Sequence, residues 1–493
     1  MMVPVKDLLA ACCKFGERPA IVISGFTLDY NGLAERIFWQ AAELTKHLSS
    51  GDRIALLSGN TLDFITLSFA AELIGAIRVP LNIKATPAEI AALLEDCSPK
   101  LVVYEAETEG LLAQAPAIKA IGAAILASAS EEPHTSSGVI SPAARCSITY
   151  TSGSTGKPKG VVLTHANWHY VFANMLIDRD ISAADTLAFI GPLTHAGWSY
   201  LYAGLLRGAR AAVFDAGDVE TMLAFAEQDE VTIITCVPTT LSRIIKGTDD
   251  HHPLRQSLKW IGVGGAPTSP TLLERAISTF GRRIVLNFGQ TEAMMTCAFY
   301  DLAREQEHHD EAGLIGRSYI FSSVVIRAED GTACAIGEVG EICVSGPHTM
   351  LEYWNNPQQT AAVYRGDEIL TGDLGVEFAP GLFRLVGRAK DMIISGGFNI
   401  YPMEVEAAVA ALPEVDEVAV MGIPDEEWGE KVVCLLSTHK GAELSADSLR
   451  QFLKPVLGIK TPKIFHLLPQ LPKAATGKID KKALKLWLEE QGQ

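Results

Sequence analysis

The amino-acid sequence predicts an α/β protein with a large N-terminal domain, residues 1–388, and a small α+β C-terminal domain, residues 389–493. Three observations lead to this prediction. The chain has 493 residues, which is more than one hydrophobic core usually serves. Over the first three-quarters, short strand-like runs alternate with helical patterns, as they do in layered α/β folds. After residue 388 the chain carries a separate set of helical and strand-like patterns.

The elements of the larger domain are predicted from runs of apolar residues and from their spacing. The predicted strands are residues 54–57, 101–104, 211–214, 231–234 and 283–286. Helical patterns lie between several of them, for example at residues 87–94 and 219–228. Thr164 is placed to cap the N-terminus of a further helix. Residues 131–141, rich in Ser, Pro and Gly, are expected to form an exposed loop.

The smaller domain is predicted from the same kinds of pattern. Helical patterns cover residues 402–412, 446–456 and 480–490. Strand-like runs cover residues 415–422 and 431–437. This mixture indicates a compact α+β unit with its own core.

Composition restricts the class of partner. The net charge is −17, which argues against nucleic acid and anionic membranes as partners. An anionic ligand would then need a local basic pocket, for which the candidates are Lys157, Lys159, Arg388 and Lys478. The nine cysteines lack metal-ligand spacing and indicate reduced thiols in a cytoplasmic protein. Neither a secretory leader nor a transmembrane segment is expected.

The decamer at residues 151–160 has the composition of a phosphate cradle. It contains three glycines, four hydroxyl side chains and two lysines between two strand-like runs. Glycine lets backbone N–H groups turn toward a ligand, and lysine supplies positive charge. The segment is not a Walker A loop, because Thr151 stands in place of the first glycine and Pro158 in place of the final Ser or Thr. A Ser/Thr/Gly linker is the alternative interpretation.

Two further polar segments directly follow strand-like runs, where ligands of open α/β sheets lie. The first, residues 262–267, is equally compatible with a structural turn. The second, residues 287–292, ends in Thr291 and Glu292. A hydroxyl can bind a phosphate oxygen and a carboxylate can hold Mg²⁺, although taken alone the pair is more often a helix N-cap with an acid in the first turn.

In their order along the chain, these motifs resemble the adenylate-forming superfamily of acyl- and aryl-CoA ligases, adenylation domains and luciferase. The resemblance also rests on Thr-Gly-Asp at residues 371–373, on Gly-Arg-Ala-Lys-Asp-Met-Ile-Ile-Ser-Gly-Gly at residues 387–397 and on the Gly-Lys pair at residues 477–478. It implies the adenylate-forming fold with a mobile C-terminal lid. The implied reaction forms an acyl-AMP and pyrophosphate from a carboxylic acid and ATP. The thiol of CoA then displaces AMP.

The resemblance also implies roles for individual residues. Lys478 would bridge the attacking carboxylate and the α-phosphate, Thr291 would touch that phosphate, and Lys390 would be the hinge. Glu292 and Thr155 would bind Mg²⁺. Ser395, Gly396, Gly397 and Trp428 would face CoA, although Trp428 is equally explained by packing. The implied ATP- and AMP-binding residues are Thr151, Ser152, Gly153, Ser154, Thr155, Gly156, Lys157, Gly265, Ala266, Pro267, Asn287, Phe288, Thr291, Asp373, Arg388 and Lys478.

Residues 192–197 match the segment that lines the acyl pocket in this family. His195 is expected to be a catalytic residue that gates the pocket, with a packed imidazole as the alternative. No acid lies nearby to hold an α-amino group, which favours a plain carboxylic acid. The predicted pocket walls, which suit an aryl or medium-chain acyl group, are His195, Trp198, Val237, Val263, Gly264 and Met294. An acidic substrate would need a buried arginine, and the sequence does not single one out.

Two departures from the family pattern and three open alternatives remain. Phe288 replaces a common tyrosine, and Glu352 replaces a common glycine. The short segment from Asp373 to Arg388 favours CoA as the acceptor, whereas loading of a carrier protein is the alternative within the same chemistry. A catalytically inactive interaction protein is opposed by the intact motif residues. The sequence does not fix the oligomeric state, for which a homodimer is one option.

Overall fold

The structure, a computed structural model, describes residues 3–128, 139–151, 158–305, 307–309, 311–439, 442, 444–473 and 479–491. Up to residue 388 the helices in it are α1 (Pro4–Phe15), α2 (Tyr30–Thr45), α3 (Leu62–Leu73), α4 (Pro87–Cys97), α5 (Ala123–Ser128), α6 (His165–Asp178), α7 (Ala196–Leu206), α8 (Val219–Gln228), α9 (Pro238–Gly247), α10 (Leu254–Ser257), α11 (Pro270–Phe280) and α12 (Pro357–Val363).

The strands of the same part of the chain form two sheets. They are β1 (Pro19–Ile23), β2 (Phe26–Asp29), β3 (Arg53–Leu57), β4 (Ile77–Leu81), β5 (Leu101–Tyr104), β6 (Ala120–Gly122), β7 (Arg145–Thr151), β8 (Lys159–Thr164), β9 (Thr186–Phe189), β10 (Arg210–Val213), β11 (Ile233–Cys236), β12 (Trp260–Gly264), β13 (Ile284–Phe288), β14 (Ala298–Asp301), β15 (Leu314–Ser318), β16 (Ser323–Arg327), β17 (Val339–Ser345), β18 (Glu352–Tyr353), β19 (Tyr364–Arg365), β20 (Glu368–Ala379) and β21 (Leu382–Arg388).

The first sheet has the order β16-β17-β20-β21-β15-β14-β13-β12-β11-β9-β10-β1-β2, with β19 paired to β20. The second has the order β18-β8-β7-β4-β3-β5-β6. In the first sheet, β9, β11, β12 and β13 are parallel neighbours, so their carboxyl ends lie along one edge. The predicted α/β layering is therefore observed, and it supplies the sheet edge at which ligands bind in such folds.

The predicted elements are confirmed, with small shifts of their ends. Helix α8 has the predicted bounds, and the predicted strand at residues 231–234 is displaced to β11. Thr232 lies just before β11, and its hydroxyl donates to Asp185 at 3.0 Å and accepts from the backbone N–H of Thr186 at 3.0 Å. Of the predicted loop at residues 131–141, residues 131–138 lie outside the described residues.

The predicted cap at Thr164 is confirmed as a capping box. The Thr164 hydroxyl accepts from the Asn167 backbone N–H at 3.1 Å, and the Asn167 side-chain oxygen accepts from the Thr164 backbone N–H at 2.8 Å. Helix α6, which this box starts, follows β8 directly, and Arg179, the residue after this helix, contacts Asn287. The cap therefore fixes where that helix leaves the second sheet.

We expect Thr164→Ala to lower the free energy of unfolding by about 1 kcal/mol, because an N–H group at the start of α6 loses its acceptor. Thr164→Ser is the matched control, since it keeps the capping oxygen. Urea denaturation followed by tryptophan fluorescence measures the difference. Equal stability of the alanine and serine variants would show that the cap contributes nothing.

The remaining described α-helices and strands are β22 (Ile393–Ser395), β23 (Phe398–Ile400), α13 (Pro402–Ala410), β24 (Val415–Asp425), β25 (Gly429–Thr438), α14 (Ala446–Leu457), β26 (Ile464–Leu467) and α15 (Lys481–Glu490). They form a separate sheet with the order β23-β22-β25-β24 and with β26 paired to β25. Its two hydrophobic clusters draw only on residues after 392. A short 3-10 helix, Ala389–Asp391, joins this part to β21, and Lys390 in it is exposed.

Within the part of the chain that the structure describes, no helix is both long enough and apolar enough to cross a membrane.

Candidate active site at the junction of two sheets

Several predicted site residues lie together at the carboxyl edge of the first sheet. Val237 follows β11, Gly264 ends β12, and Asn287 and Phe288 end β13. Gly264 is paired with Asn287, and Val263 with Cys236, so these strand ends are adjacent. Gly265, Ala266 and Pro267 continue from β12 and are exposed. This edge presents backbone groups and small side chains, which is what close approach of a flat base requires.

The loop after β13 depends on one glycine. A side chain on Gly289 would place its Cβ only 2.6 Å from the backbone of Met295, which doubles back over it. Asn174 of α6 ties the loop down by donating from its amide to the Thr296 hydroxyl at 3.0 Å. Thr291 is half-buried within this loop. The loop is therefore held by close packing at one end and by α6 at the other.

The second sheet contributes the hairpin of β7 and β8. Thr151 ends β7 and is paired with Lys159 of β8. The predicted phosphate loop lies between them, and Ser152, Gly153, Ser154, Thr155, Gly156 and Lys157 lie outside the described residues, as does Lys478. The described residues thus place the two ends of the loop next to the carboxyl edge, and the loop itself stays a prediction.

His195 connects the two sheets. It precedes α7, and its Nε2 lies 3.3 Å from the backbone oxygen of Tyr150, the residue before Thr151. Its Nδ1 lies 2.9 Å from the Thr194 hydroxyl. The imidazole therefore sits between the predicted acyl segment and the base of the phosphate loop.

Glu292 provides the second connection. The Tyr353 hydroxyl of β18 donates to Glu292 Oε1 at 2.7 Å. The backbone oxygen of Glu292 accepts from the Met350 N–H at 2.8 Å, and Ala293 and Thr349 form an antiparallel bridge. The loop after β13 is thus attached to the edge of the second sheet beside the hairpin.

Glu292 suits a magnesium ion that is held mainly by the phosphates of a bound substrate and by water. The described residues contain no group of three or more His, Cys, Asp or Glu side chains that could hold a metal ion by themselves. Magnesium is commonly bound through one or two carboxylates together with substrate phosphates and water. One carboxylate next to a phosphate loop matches that mode, whereas a fully protein-bound metal site does not.

Asp373 and Arg388 face each other across β20 and β21. They are register partners, and Arg388 Nε lies 2.8 Å from Asp373 Oδ1. The Asp373 side chain is 6% exposed and that of Arg388 is 50% exposed, so the pair has a buried and an open end. The pKa of the Cys297 thiol is raised to about 12, chiefly by burial and in smaller part by the nearby charges of Asp373 and Glu292. The two predicted carboxylates therefore approach the same part of the loop.

Arg179 is a site residue that sequence reasoning missed. It follows α6, is 3% exposed, and donates from Nη2 to the Tyr319 hydroxyl at 3.0 Å and to Asn287 Oδ1 at 3.3 Å. Tyr319 also donates to Asn287 Oδ1 at 2.8 Å. The guanidinium lies 4.1 Å from the Phe299 ring centre, a cation–π contact. This network fixes the side chain of Asn287 at the end of β13. Nothing in the sequence marks this arginine, which directly follows an amphipathic helix, as a site residue.

Among the predicted walls of the acyl pocket, Trp198 is buried in this structure. Trp198 is 0% exposed and packs against Phe64, Phe69 and Tyr202, so in this conformation it lies in the core and lines no open pocket. Its indole also stacks on the buried guanidinium of Arg78 at 4.2 Å. The apolar segment around Trp198 folds inward because α7 packs between the two sheets.

Of the other predicted pocket walls, Val263 is 1% and Met294 3% exposed. Val237 is half-buried, and it approaches Gly265, whose added Cβ would lie 3.5 Å from Val237 Cγ1. Val237 and Gly264 are therefore the predicted wall residues, besides His195, that this conformation leaves accessible. They lie at the ends of β11 and β12, beside the residues predicted to flank the adenine.

The predicted CoA-facing residues form one cluster in the C-terminal part. Gly396 donates its N–H to the Trp428 backbone oxygen at 2.8 Å, and a Cβ on Gly396 would lie 2.8 Å from the indole. The ammonium of Lys463 lies over the Trp428 ring at 4.4 Å. Ser395 is buried beneath the turn, and Gly397 is exposed with a φ of +81°. The cluster combines an aromatic ring with a positive charge.

The departure at Glu352 has a local explanation. Arg145 of β7 donates to its carboxylate from Nε at 2.9 Å and from Nη2 at 2.6 Å. The Arg145 guanidinium lies 5.7 Å from the Trp354 ring centre, and that of Arg53 lies 5.0 Å away. Glu352 therefore neutralises one of two arginines packed around Trp354 at the base of the hairpin.

Comparison with known proteins places this geometry among enzymes. A family model described as AMP-binding enzyme matches residues 9–354, and one described as AMP-binding enzyme C-terminal domain matches residues 404–478. Feruloyl-CoA synthase from Amycolatopsis sp is 33% identical over 467 residues, covering 93% of this chain and 94% of that protein. Indoleacetate–CoA ligase from Aromatoleum aromaticum is 31% identical over 476 residues, covering 91% and 90%.

Solved structures agree with the sequence comparisons. O-succinylbenzoate CoA synthetase (MenE) from Bacillus subtilis, in complex with the acyl-adenylate intermediate OSB-AMP, has a TM-score of 0.88 and 28% identity, covering 97% of this chain and 98% of that chain. The same enzyme in complex with ATP and a magnesium ion has a TM-score of 0.86 and 27% identity, covering 97% and 99%.

Proposed function

Because this chain belongs to the AMP-binding enzyme family and is an AMP-forming acid–CoA ligase, we propose that its substrate is an aryl or medium-chain carboxylic acid. The family predicted from the motifs is thereby confirmed, together with the adenylate-forming fold and the use of ATP, Mg²⁺ and CoA. The observation that carries the proposal is the contact of His195 with the base of the phosphate hairpin. It brings the acyl segment next to the predicted triphosphate site.

The proposed nucleotide site uses both sheets. The phosphate loop after Thr151 would hold the β- and γ-phosphates, and Thr291 would donate to the α-phosphate. Glu292 would hold the magnesium ion, which supplies positive charge to the phosphates when bound. The adenine would lie against Gly265 and Phe288. The ribose would be held by Asp373, whose partner Arg388 is half-exposed at the mouth of the site.

In the first half-reaction a carboxylate oxygen attacks the α-phosphorus, a new P–O bond forms, and pyrophosphate leaves. Both reactants are anions, so fixed positive charge must offset their repulsion. We assign that role to Lys478. His195 would border the carboxylate end of the pocket, because its ring lies between Thr194 and the base of the hairpin.

The proposed acyl group is apolar and uncharged. Val237 and Gly264, at the ends of adjacent parallel strands, leave accessible apolar surface beside the nucleotide edge. Two arginines are buried in the described part of the chain, and the sequence singled out neither: Arg78 stacks on Trp198, and Arg179 donates to Tyr319. These contacts leave Nε and Nη1 of each guanidinium without a hydrogen-bond partner among the described residues, so the proposal of a monocarboxylic acid rests on the accessible apolar surface at Val237 and Gly264.

In the second half-reaction the CoA thiol attacks the acyl carbon, a thioester bond forms, and AMP leaves with the bonding electron pair. We propose that the turn at Gly396 and Gly397 lines the path of the thiol after the C-terminal domain rotates about Lys390. Trp428 and Lys463 would then offer an aromatic face and a positive charge to the CoA nucleotide. Strands β20 and β21 follow each other directly, which leaves no room for an insertion before the hinge.

A panel of carboxylic acids tests this proposal, with pyrophosphate release and thioester formation measured in parallel. Aromatic acids, alkanoic acids of graded length, dicarboxylic acids and amino acids are compared with and without CoA. We expect apolar monocarboxylic acids to cause release of pyrophosphate. With CoA present, this release should continue over many turnovers, because CoA removes the acyl group from the acyl-adenylate. A preference for dicarboxylic or amino acids would contradict the proposed acid. Turnover with a carrier-protein thiol and none with CoA would contradict the proposed acceptor.

A further inference from the structure

The phenol of Tyr353 is positioned against the predicted metal ligand. Its hydroxyl donates to Glu292 Oε1 at 2.7 Å. Among the described residues, no hydrogen bond reaches Oε2 of Glu292. Tyr353 as a whole is 4% exposed, so its hydroxyl reaches the carboxylate from within the protein. This contact joins the edge of the second sheet to a loop of the first.

We propose that Tyr353 is a positioning residue, which orients the Glu292 carboxylate so that one oxygen is held by the phenol and the other is presented to the metal bound with ATP. This inference rests on the proposed function of Glu292. It assigns to Tyr353 an effect on metal affinity and on the geometry of the metal-bound nucleotide, without contact to either substrate.

The position of the Tyr353 ring is fixed by three contacts that do not involve Glu292. In β18, Tyr353 pairs with Val161 of β8. Its backbone N–H donates to the Thr360 hydroxyl at 2.9 Å. The ammonium of Lys159 lies over the ring, 4.9 Å from its centre. Since Lys159 begins β8 directly after the phosphate-loop segment, the same ring contacts the base of that loop and the metal ligand.

The Glu292 backbone is also fixed, by the Met350 N–H that donates to its carbonyl at 2.8 Å. The remaining freedom is rotation of the carboxylate about its terminal bond, which is a broad, weakly restricted torsion. A hydrogen bond from a fixed donor selects one orientation. A phenol is protonated at neutral pH and is therefore available as the donor in this hydrogen bond.

The expected loss of metal affinity can be judged from other proteins in which a hydrogen-bond partner of a metal ligand was removed. Removing a hydrogen bond to a ligating group typically weakens metal affinity by about 10- to 100-fold. Tyr353→Phe removes one oxygen atom and retains the ring, and therefore the packing and the contact with Lys159. Tyr364→Phe is the matched control, because that neighbouring, partly buried tyrosine donates to the Met350 backbone oxygen instead of a carboxylate.

The test is a Mn²⁺ titration of the full-length protein saturated with a non-hydrolysable ATP analogue, followed by electron paramagnetic resonance of the free ion. We expect Tyr353→Phe to weaken Mn²⁺ binding about 10- to 100-fold and Tyr364→Phe to leave it unchanged. In steady-state assays, the Mg²⁺ concentration for half-maximal rate should rise for Tyr353→Phe, with kcat recovered at saturating metal.

A double-mutant cycle removes the remaining ambiguity. In a Glu292→Gln background, Tyr353→Phe should cause no further loss of Mn²⁺ affinity, since the two act through one carboxylate. Unchanged Mn²⁺ binding in Tyr353→Phe, or an equal loss in Tyr364→Phe, would overturn the inference while leaving the proposed function intact. Failure of the wild-type protein to bind the metal–nucleotide complex would instead overturn the proposed function.

Discussion

Replacing Lys478 with alanine is expected to slow adenylate formation by about 10²–10³-fold, the effect of removing one electrostatic donor from a preorganised site. The carboxylate and the α-phosphate are both anionic, and their repulsion is greatest as the new P–O bond forms. Lys478 itself lies outside the described residues. The residues that bracket its segment, Lys473 and Ile479, form an antiparallel bridge, and Asp480 then caps α15.

The two half-reactions separate the role of Lys478 from a general loss of folding. Acid-dependent pyrophosphate exchange measures the first step, and thioester formation from pre-formed acyl-adenylate measures the second. Lys478→Ala should spare the second step. Lys482→Ala is the matched control, because it removes an exposed lysine charge at the start of α15. Equal loss in both half-reactions of Lys478→Ala would refute the assigned role.

Local features of the fold were predictable because they are encoded within a few residues. The cap at Thr164 depends on Thr164 and Asn167, three positions apart. The strand-like runs before residues 262 and 287 correspond to β12 and β13, although these strands continue to Gly264 and Phe288. The displacement of β11 was not predicted; Thr232, which precedes this strand, donates to Asp185 from another part of the chain.

Long-range features of the site were not predictable from one sequence. Tyr353 reaches Glu292 across 61 positions, and Arg179 reaches Asn287 across 108. Each contact joins elements whose pairing depends on the arrangement of both sheets. The burial of Trp198 has the same origin: its apolar surroundings suit either a pocket wall or a core, and the packing of α7 decides between them. The motif residues themselves carry chemistry that the sequence shows, whereas their supporting contacts are made by the fold.

The hinge provides the second large expected effect. Lys390→Pro should slow the thioester step by about 10²-fold, the scale of a misplaced reacting group, while changing pyrophosphate exchange much less. Lys390 is exposed in the 3-10 helix Ala389–Asp391, and no described side chain holds it by a hydrogen bond or ion pair. Proline fixes φ near about −65° and restricts the preceding residue, here Ala389. It therefore limits the torsions by which the C-terminal domain would rotate.

Lys390→Ala is the control that decides the interpretation, because it removes the same side chain and keeps the backbone free. If rotation about residue 390 carries the enzyme from one half-reaction to the other, the alanine variant should form thioester at nearly the wild-type rate, and the proline variant should accumulate acyl-adenylate. Rapid-quench measurement of bound acyl-AMP distinguishes the two. If both variants lost thioester formation equally, the Lys390 side chain would be responsible and the hinge would lie elsewhere. If the proline variant lost pyrophosphate exchange to the same extent as thioester formation, the substitution would disturb the adenylating conformation itself. Both half-reactions need the C-terminal domain, but only the passage from one half-reaction to the other needs rotation about the backbone torsions of residue 390.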